Sequence, residues 1–329
     1  MTQEEAEDIT LYHCSACEPA HGPTVVANRR KSLRETKKLN YTNEAAVHEY
    51  YWTKILQGKT FGKDDFERLH GDQINLDWAR KTGLHRPVVV PSPDGLDMKM
   101  PDSRISVSEI ADLVGRNTLV ECLQVATQSS EVMSLGDWAN YFSLKPEKRN
   151  RLLNVITLEI GSSRLAERIQ RPALVRQLDW VNLTWPKHLV ESRESPQVQL
   201  YCLMGVANSY TDFHIDFGGS SVFYHILSGE KIFYFVEPTR NNLKSYEHWG
   251  SSALQSSTFF PDTLEPGTCK KVKLVAGNTM IIPTGWIHAV FTPVDTIVIG
   301  GNFIHGLNIS RQLDCVTLEN RTDVPLKFR

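Results

Sequence analysis

A chain of 329 residues, 41% hydrophobic and 22% charged, is long enough to bury its own core, as two compact units or as one large domain with helical additions. Its formal net charge of −2 excludes bulk attraction to nucleic acid or an anionic membrane, so any such binding must come from local patches. No apolar run approaches the roughly 18 residues that span a bilayer, the acidic start from Met1 to Leu11 is unlike a secretory or transit peptide, and six scattered cysteines are too sparse for a disulfide scaffold.

These features imply a reducing, intracellular compartment, in which the sequons at Asn40, Asn182, Asn308 and Asn320 are chance matches. Near the start, Cys14 and Cys17 form a Cys-x-x-Cys pair, half of a tetrahedral zinc site, with no further cysteine until Cys122. The pair reads either as free surface thiols or as the tail of a zinc finger. A run at 29–38 holds six basic residues among ten. It reads as a solvated linker, or as a contact with phosphate or a nuclear import signal. From Thr42 the pattern is helical, with Val47, Tyr51 and Ile55 four residues apart and Gly58 as a stop. The prolines between Pro87 and Pro101 mark an irregular stretch.

Ser106-x-x-Glu109 is a capping box opening a short helix to Gly115. Ser134-x-x-Asp137 starts another, whose Trp138, Tyr141 and Phe142 suit one buried face. Residues 152–158 read as a buried strand. Pro172 opens a helix with a stripe at Leu174, Leu178, Val181 and Trp185, ended by Pro186. Beyond Pro196 the texture changes to short β-like runs at 198–206, 220–227, 231–236, 271–275, 279–282 and 296–300, separated by turn residues, which indicates a sandwich or barrel.

The chemistry is concentrated at 210–219, Tyr-Thr-Asp-Phe-His-Ile-Asp-Phe-Gly-Gly. In an extended chain alternate side chains share a face, so His214 and Asp216 point the same way. They supply two ligands of a 2-His-1-carboxylate triad, which suits non-heme Fe(II) because it leaves coordination positions open. A third ligand has to come from another strand. His288, just after the bend at Pro283 and Gly285, fits that need. His225 is too close to His214, His248 lies in a polar loop-like region, and His305 is the serious rival. An isolated His-x-Asp equally describes a core histidine bonded to an aspartate. Lys231 is the second clue, because it shares a strand face with Phe233 and Phe235 while Glu230 points away. A buried cation needs an anion, and the distal carboxylate of 2-oxoglutarate is one, with hydroxyls from Thr211 and Tyr224 beside it. The competing reading is a lysine snorkelling to solvent from an edge strand.

The stretch at 210–219 resembles the metal-binding segment of Jumonji C histone demethylases, and so do Gly-Glu-Lys-Ile-Phe-Tyr at 229–234, Ile-Pro-Thr-Gly-Trp-Ile-His-Ala-Val at 282–290 and Gly-Gly-Asn-Phe-Ile-His at 300–305. The chain is most similar to the subfamily joining a PHD finger to a Jumonji C domain, and nearly as similar to the F-box-associated demethylases, from about Asn28 to the end, Arg321 to Arg329 included. The resemblance implies an α+β fold: a double-stranded β-helix of jelly-roll or cupin type with surrounding helices. It also implies a PHD zinc-finger remnant at 1–27, a basic linker and helical part at 28–150, the catalytic domain at 151–310 and the start of a helical part at 311–329.

By the same resemblance His214, Asp216 and His288 bind Fe(II), and Thr211, Lys231, Tyr224 and Asn154 hold 2-oxoglutarate. Tyr201 and Asn302 line a methyl-lysine channel, and zinc belongs only to the PHD finger, of which Cys14 and Cys17 resemble the last ligands. The implied activity is oxidative demethylation with O2 of mono- and dimethyl-lysine in the histone H3 tail, at lysine 9 or 27, with lysine 36 implied by the sister group. The partners are the methylated tail and the nucleosome, with weak DNA contact through the basic linker. The location is the nucleus and no membrane is involved. A protein hydroxylase and a non-catalytic methyl-lysine reader are the other classes. Ser220 and Phe223 stand where relatives often carry Thr and Trp, whereas the His288 position is kept.

Overall fold

The computed structural model describes residues 9–11, 25–26, 51–192 and 194–322. The Cys14–Cys17 pair, the basic run at 29–38, the helical pattern before Tyr51 and the segment from Asp323 lie outside the described residues. The chain divides into two compact units, Met1–Tyr41 and Thr42–Arg329. In the first, β1 (Ile9–Leu11) pairs antiparallel with β2 (Val25–Val26).

The second unit is a mixed helix and sheet structure, as expected. Helices α1 (Tyr51–Gln57), α2 (Leu76–Thr82), α3 (Val107–Val114) and α4 (Leu135–Phe142) precede most of the sheet. Their starts follow local chemistry. Ser106 accepts from the Glu109 N–H at the head of α3 and Ser134 from the Asp137 N–H at the head of α4, satisfying N–H groups that a helix start leaves unpaired. Trp138 is fully buried, a core residue as the pattern predicts.

The sheet has 11 strands: β3 (Glu67–Arg68), β4 (Val88–Val90), β5 (Leu119–Gln124), β6 (Ser129–Ser134), β7 (Leu153–Glu159), β8 (Tyr201–Gly205), β9 (Ser209–His214), β10 (Ser221–Val236), β11 (Lys270–Val275), β12 (Thr279–Ile282) and β13 (Ile287–Phe303). Among the described strands only β3 and β4 pair in parallel. The two long strands, β10 and β13, pair with each other along their length but have different outer neighbours at each end. The first half of β10 lies against β12, and the second half of β13 against β8, so that one layer continues through β7 to β5 and β6. The second half of β10 lies against β11 and the first half of β13 against β9, making the other layer. The chain therefore passes from layer to layer inside single strands, which is jelly-roll topology.

Alternation along these strands separates three cores. Val222, Tyr224, Phe233, Phe235, Ile282 and Val290 pack between the layers. Phe223, Ile281 and Ile299 face the helices on one outer side. Tyr210, Phe213, Tyr234 and Ile287 face Trp249 and Phe260 on the other.

Three expectations need correction. The runs at 220–227 and 231–236 belong to one strand, because pairing with β13 persists through register shifts between Ile226 and Ile232. The run at 296–300 is likewise the second half of β13. The helix expected from Pro172 to Trp185 is broken. Asp179 (φ −65°, ψ 113°) ends α5 (Ala173–Leu178) and caps α6 (Trp180–Thr184) through the Val181 N–H. The Asp179 carboxylate is fully buried against Arg171 at 2.7 Å, and that ion pair overrides the helical stripe. The proline-rich stretch is also less irregular than expected, since β4 pairs with β12 there. A further short helix, α7 (Lys187–Glu191), follows α6; α8 (Arg240–Gly250) and α9 (Ile309–Arg321) complete the unit. No helix among the described residues is long and apolar enough to cross a membrane.

Candidate metal and cosubstrate site

A cavity of about 400 Å³ opens between the two layers. One layer contributes Asn154, Ile156 and Thr157 from β7, Tyr201 and Leu203 from β8, Val222 and Tyr224 from β10, Ile282, and Gly300 to Asn302 from β13; the other contributes Thr211, His214, Lys231, His288 and Val290. All nine residues singled out in the sequence line this one space. His225 and His305 do not. His225 is buried against the Thr279 hydroxyl at 2.8 Å. The Nδ1 of His305 accepts from the Leu307 N–H, and its Nε2 lies 3.0 Å from the Ser221 hydroxyl, so it is a cap at the entry to α9.

His214, Asp216 and His288 offer ligand atoms that lie within 4.8 Å of one another, with His288 Nε2 and Asp216 Oδ2 4.0 Å apart. Each histidine ring is held by a backbone carbonyl two residues earlier: His214 Nδ1 by Asp212 O at 2.9 Å and His288 Nδ1 by Trp286 O at 3.0 Å. A carbonyl only accepts, so the proton sits on Nδ1 and both Nε2 lone pairs point into the cavity. Burial pushes the Asp216 carboxyl up to about 6, with His214 opposing, and holds the His288 imidazole well below its ordinary value. A divalent cation suits this donor set, because it favours the carboxylate and takes neutral imidazole as it stands.

Strict alternation puts Thr211 and His214 on opposite faces, yet both line the cavity. The ladder explains it: His214 pairs with His288 but Thr211 pairs with Val290, so β9 carries an extra residue there. This bulge is held from outside the sheet by the Gln128 side chain, which donates to Tyr210 O at 3.2 Å and accepts from the Asp212 N–H at 3.3 Å. Past the last ladder bond Asp216 (φ −59°, ψ 140°) keeps an extended backbone and leads into the turn Phe217–Gly219.

At the other end of the cavity Lys231 is 2% exposed and donates to the Thr292 hydroxyl at 2.7 Å. Glu230 does not reach it, since its carboxylate binds Lys273 at 2.8 Å. Burial brings the ammonium down to about 7. Asn154 donates to the Thr211 hydroxyl at 3.1 Å, while its Oδ1 and the Ser209 hydroxyl are buried with no hydrogen-bond partner among the described residues. These atoms converge on Gly205: a Cβ there would stand 2.8 Å from Lys231 Nζ, 3.0 Å from Asn154 Oδ1 and 3.1 Å from Ser209 Oγ. A buried cation beside hydroxyl and amide groups is a fitting cradle for a carboxylate. Burial also pushes the Tyr224 hydroxyl far up, so it stays a neutral donor. In the same cavity Asn302 donates to the Ser220 hydroxyl at 2.9 Å, and burial pushes Tyr201 up to about 12.

The sequence reading missed Thr292, Ser209 and Gly205. Thr292 was within reach of it, since 288, 290 and 292 alternate along β13. It also missed a wall made by Tyr246, Cys315, Leu318 and Glu319 from α8 and α9, which carry no motif.

A family model described as JmjC domain, hydroxylase, matches residues 201–303. Over the whole chain the sequence is 40% identical to "Lysine-specific demethylase 7A" of Danio rerio and 40% identical to "Histone lysine demethylase PHF8" of the same fish, of which it covers 37% and 32%. Over 97% of the chain it is 42% identical to "JmjC domain-containing histone demethylation protein 1" of Yarrowia lipolytica, covering 65% of that protein. The chain thus spans about a third of the length of the two fish relatives.

Proposed function

We propose that this chain, whose residues 201–303 match the JmjC domain model and which is 40–42% identical to proteins named as histone demethylases, is an Fe(II)- and 2-oxoglutarate-dependent demethylase of methyl-lysine in the histone H3 tail, acting in the nucleus. The single observation that supports this reading best is the meeting, in one cavity, of two oriented imidazoles and a carboxylate with a buried ammonium that has no carboxylate partner among the described residues.

His214, Asp216 and His288 are assigned as the ligands of Fe(II). Lys231, with Thr211, Tyr224 and Asn154 around it, is assigned to the distal carboxylate of 2-oxoglutarate. When bound, the iron and its cosubstrate supply an oxidation by O2 that yields succinate and carbon dioxide and releases the methyl carbon as formaldehyde. The protein's own residues do the rest. The Asp212 and Trp286 carbonyls aim both imidazoles, and the tilted rings of Phe233 and Phe235 pack on the buried His288 and shield it from water. Tyr201 and Asn302 are assigned to the path of the methyl-lysine. Mono- and dimethyl-lysine 9 and 27 are the proposed targets, with lysine 36 the choice of the sister group. The basic run at 29–38 is proposed to touch DNA phosphate, and the first 27 residues, with Cys14 and Cys17, to belong to a PHD finger.

The test is incubation of the protein with Fe(II), 2-oxoglutarate and a panel of methylated H3 peptides, followed by mass spectrometry. Loss of methyl units with formaldehyde release is expected. Gain of one oxygen instead identifies a hydroxylase, and unchanged but bound peptide identifies a reader; either result sinks the proposal.

A further inference from the structure

Two of the three metal-binding side chains are delivered by tight turns, and one helix touches both turns. Asp216 leads directly into the turn Phe217–Gly219, and His288 follows the bend at Pro283 to Gly285. Helix α9 lies beyond the matched domain, which ends at residue 303. Its buried face is Cys315, Leu318 and Glu319, spaced as one side of a helix. Ile309, Leu313 and Val316 lie on the exposed side.

That buried face is fitted to the turns. Glu319 is 6% exposed, and its Oε1 accepts from the Gly218 N–H at 2.7 Å. A Cβ on Gly219 (φ +61°) would stand 2.6 Å from Cys315 Cβ, and one on Gly285 (φ +80°) would stand 3.0 Å from Cys315 Sγ. Cys315 is therefore wedged between the two turns, at approaches that only glycine permits on either side. Further along, Arg321 pairs with Glu247 of α8 at 3.4 Å, which fixes the end of the helix.

We infer that α9 is part of the metal centre: Glu319 and Cys315 are positioning residues that hold the Asp216 turn and the His288 bend in mutual register. Neither residue belongs to the ligand group of His214, Asp216 and His288. Glu319 acts through the Gly218 N–H on the backbone that aims Asp216, and Cys315 sets the gap between the turns. The hydrogen bond that Glu319 accepts from the Gly218 N–H resists the turn relaxing when the Asp216 carboxylate is pulled toward a cation, since a main-chain donor left unpaired costs free energy. This inference rests on the assignment of His214, Asp216 and His288 as ligands.

The experiment measures the dissociation constant of Mn(II) alone, by electron paramagnetic resonance of the free ion, on the full chain and four variants. Glu319→Ala is expected to weaken Mn(II) by about tenfold, the lower end for loss of an orienting partner. Glu319→Gln keeps an acceptor for Gly218 and is expected to stay within about twofold of the parent chain. Cys315→Leu leaves Glu319 in place but forces the turns apart, and is expected to weaken Mn(II) as Glu319→Ala does. Leu135→Ala, in a core away from the cavity, lowers Tm and is expected to leave the Mn(II) constant unchanged. A parent-like constant in Glu319→Ala or Cys315→Leu overturns the inference, as does equal weakening in Leu135→Ala or Glu319→Gln. Absence of Mn(II) binding to the parent chain overturns the ligand assignment itself and this inference with it.

Discussion

At the scale of single residues, Lys231 shows how a site conflicts with stability. Its ammonium is buried with one neutral hydroxyl as partner, an arrangement that costs the fold free energy until an anion arrives. Burial brings the group to about 7, against 10.5 for an exposed lysine. Between those values the unfolded chain holds a proton that the folded chain lacks, so stability falls as pH drops from 10.5 toward 7. Lys231→Met removes the charge at similar length. It is expected to stabilise the ligand-free protein by about 1–4 kcal/mol near neutral pH, to flatten that pH dependence, and to abolish the rise in Tm caused by 2-oxoglutarate. Thermal melts across the pH range with and without 2-oxoglutarate check all three. A ligand-induced rise that survives the substitution would place the carboxylate elsewhere. Lys231 was legible in sequence because the side-chain period of two put it with Phe233 and Phe235, and a charge on an apolar face signals a missing partner.

Among elements, β9 marks where legibility ends. His214 and Asp216 are two residues apart and share a face by simple alternation. Thr211 and His214 are three apart, and alternation separates them. They meet because β9 bulges, and nothing in Asp212 or Phe213 announces a bulge: it depends on Gln128, remote in sequence, supplying its amide as a substitute strand edge. Long-range pairing of this kind leaves no periodic signal, so the sequence offers Thr211 as a hydroxyl donor near Lys231 without the bulge that brings it beside His214. The same dependence makes a prediction. Gln128→Ala strips a hydrogen bond from both Tyr210 O and the Asp212 N–H, a cost of about 1–3 kcal/mol for groups left unpaired. The register on Thr211 loosens first. Calorimetric titration with Mn(II) present is expected to show 2-oxoglutarate weakened about tenfold or more. A substitution that lowered Tm but left 2-oxoglutarate affinity intact would make the Gln128 contact irrelevant to the site.

Across the whole molecule, the cavity exists because β10 and β13 each cross from one layer to the other, and the crossing is where sequence reading divided them. Gly229 and Pro293 look like breaks between short strands. In the fold they are the points at which continuous strands bend, with the Thr296 hydroxyl accepting from the Glu230 N–H across the kink. Asp295 stands at this bend. Its carboxylate binds Arg149 in two places, at 2.7 and 2.6 Å, and accepts from the Ala207 N–H at 2.8 Å, so it ties the bend in β13 to the chain entering β7 and the loop leaving β8. The Arg149 side chain is 2% exposed. Asp295→Asn leaves that guanidinium buried without its counter-charge, which is expected to cost about 3–5 kcal/mol. Since both layers share β10 and β13, the loss should lower the midpoint of one cooperative urea transition and not split it into two. His214, Asp216 and His288 take no part in the Asp295 contacts, so the gain from Mn(II) should persist at about 2.7 kcal/mol when the ion is about 100-fold above its dissociation constant. Urea melts of parent and variant, with and without ligands, separate the possibilities. A split transition means that the layers fold independently, and a lost ligand gain means that the bend itself shapes the site.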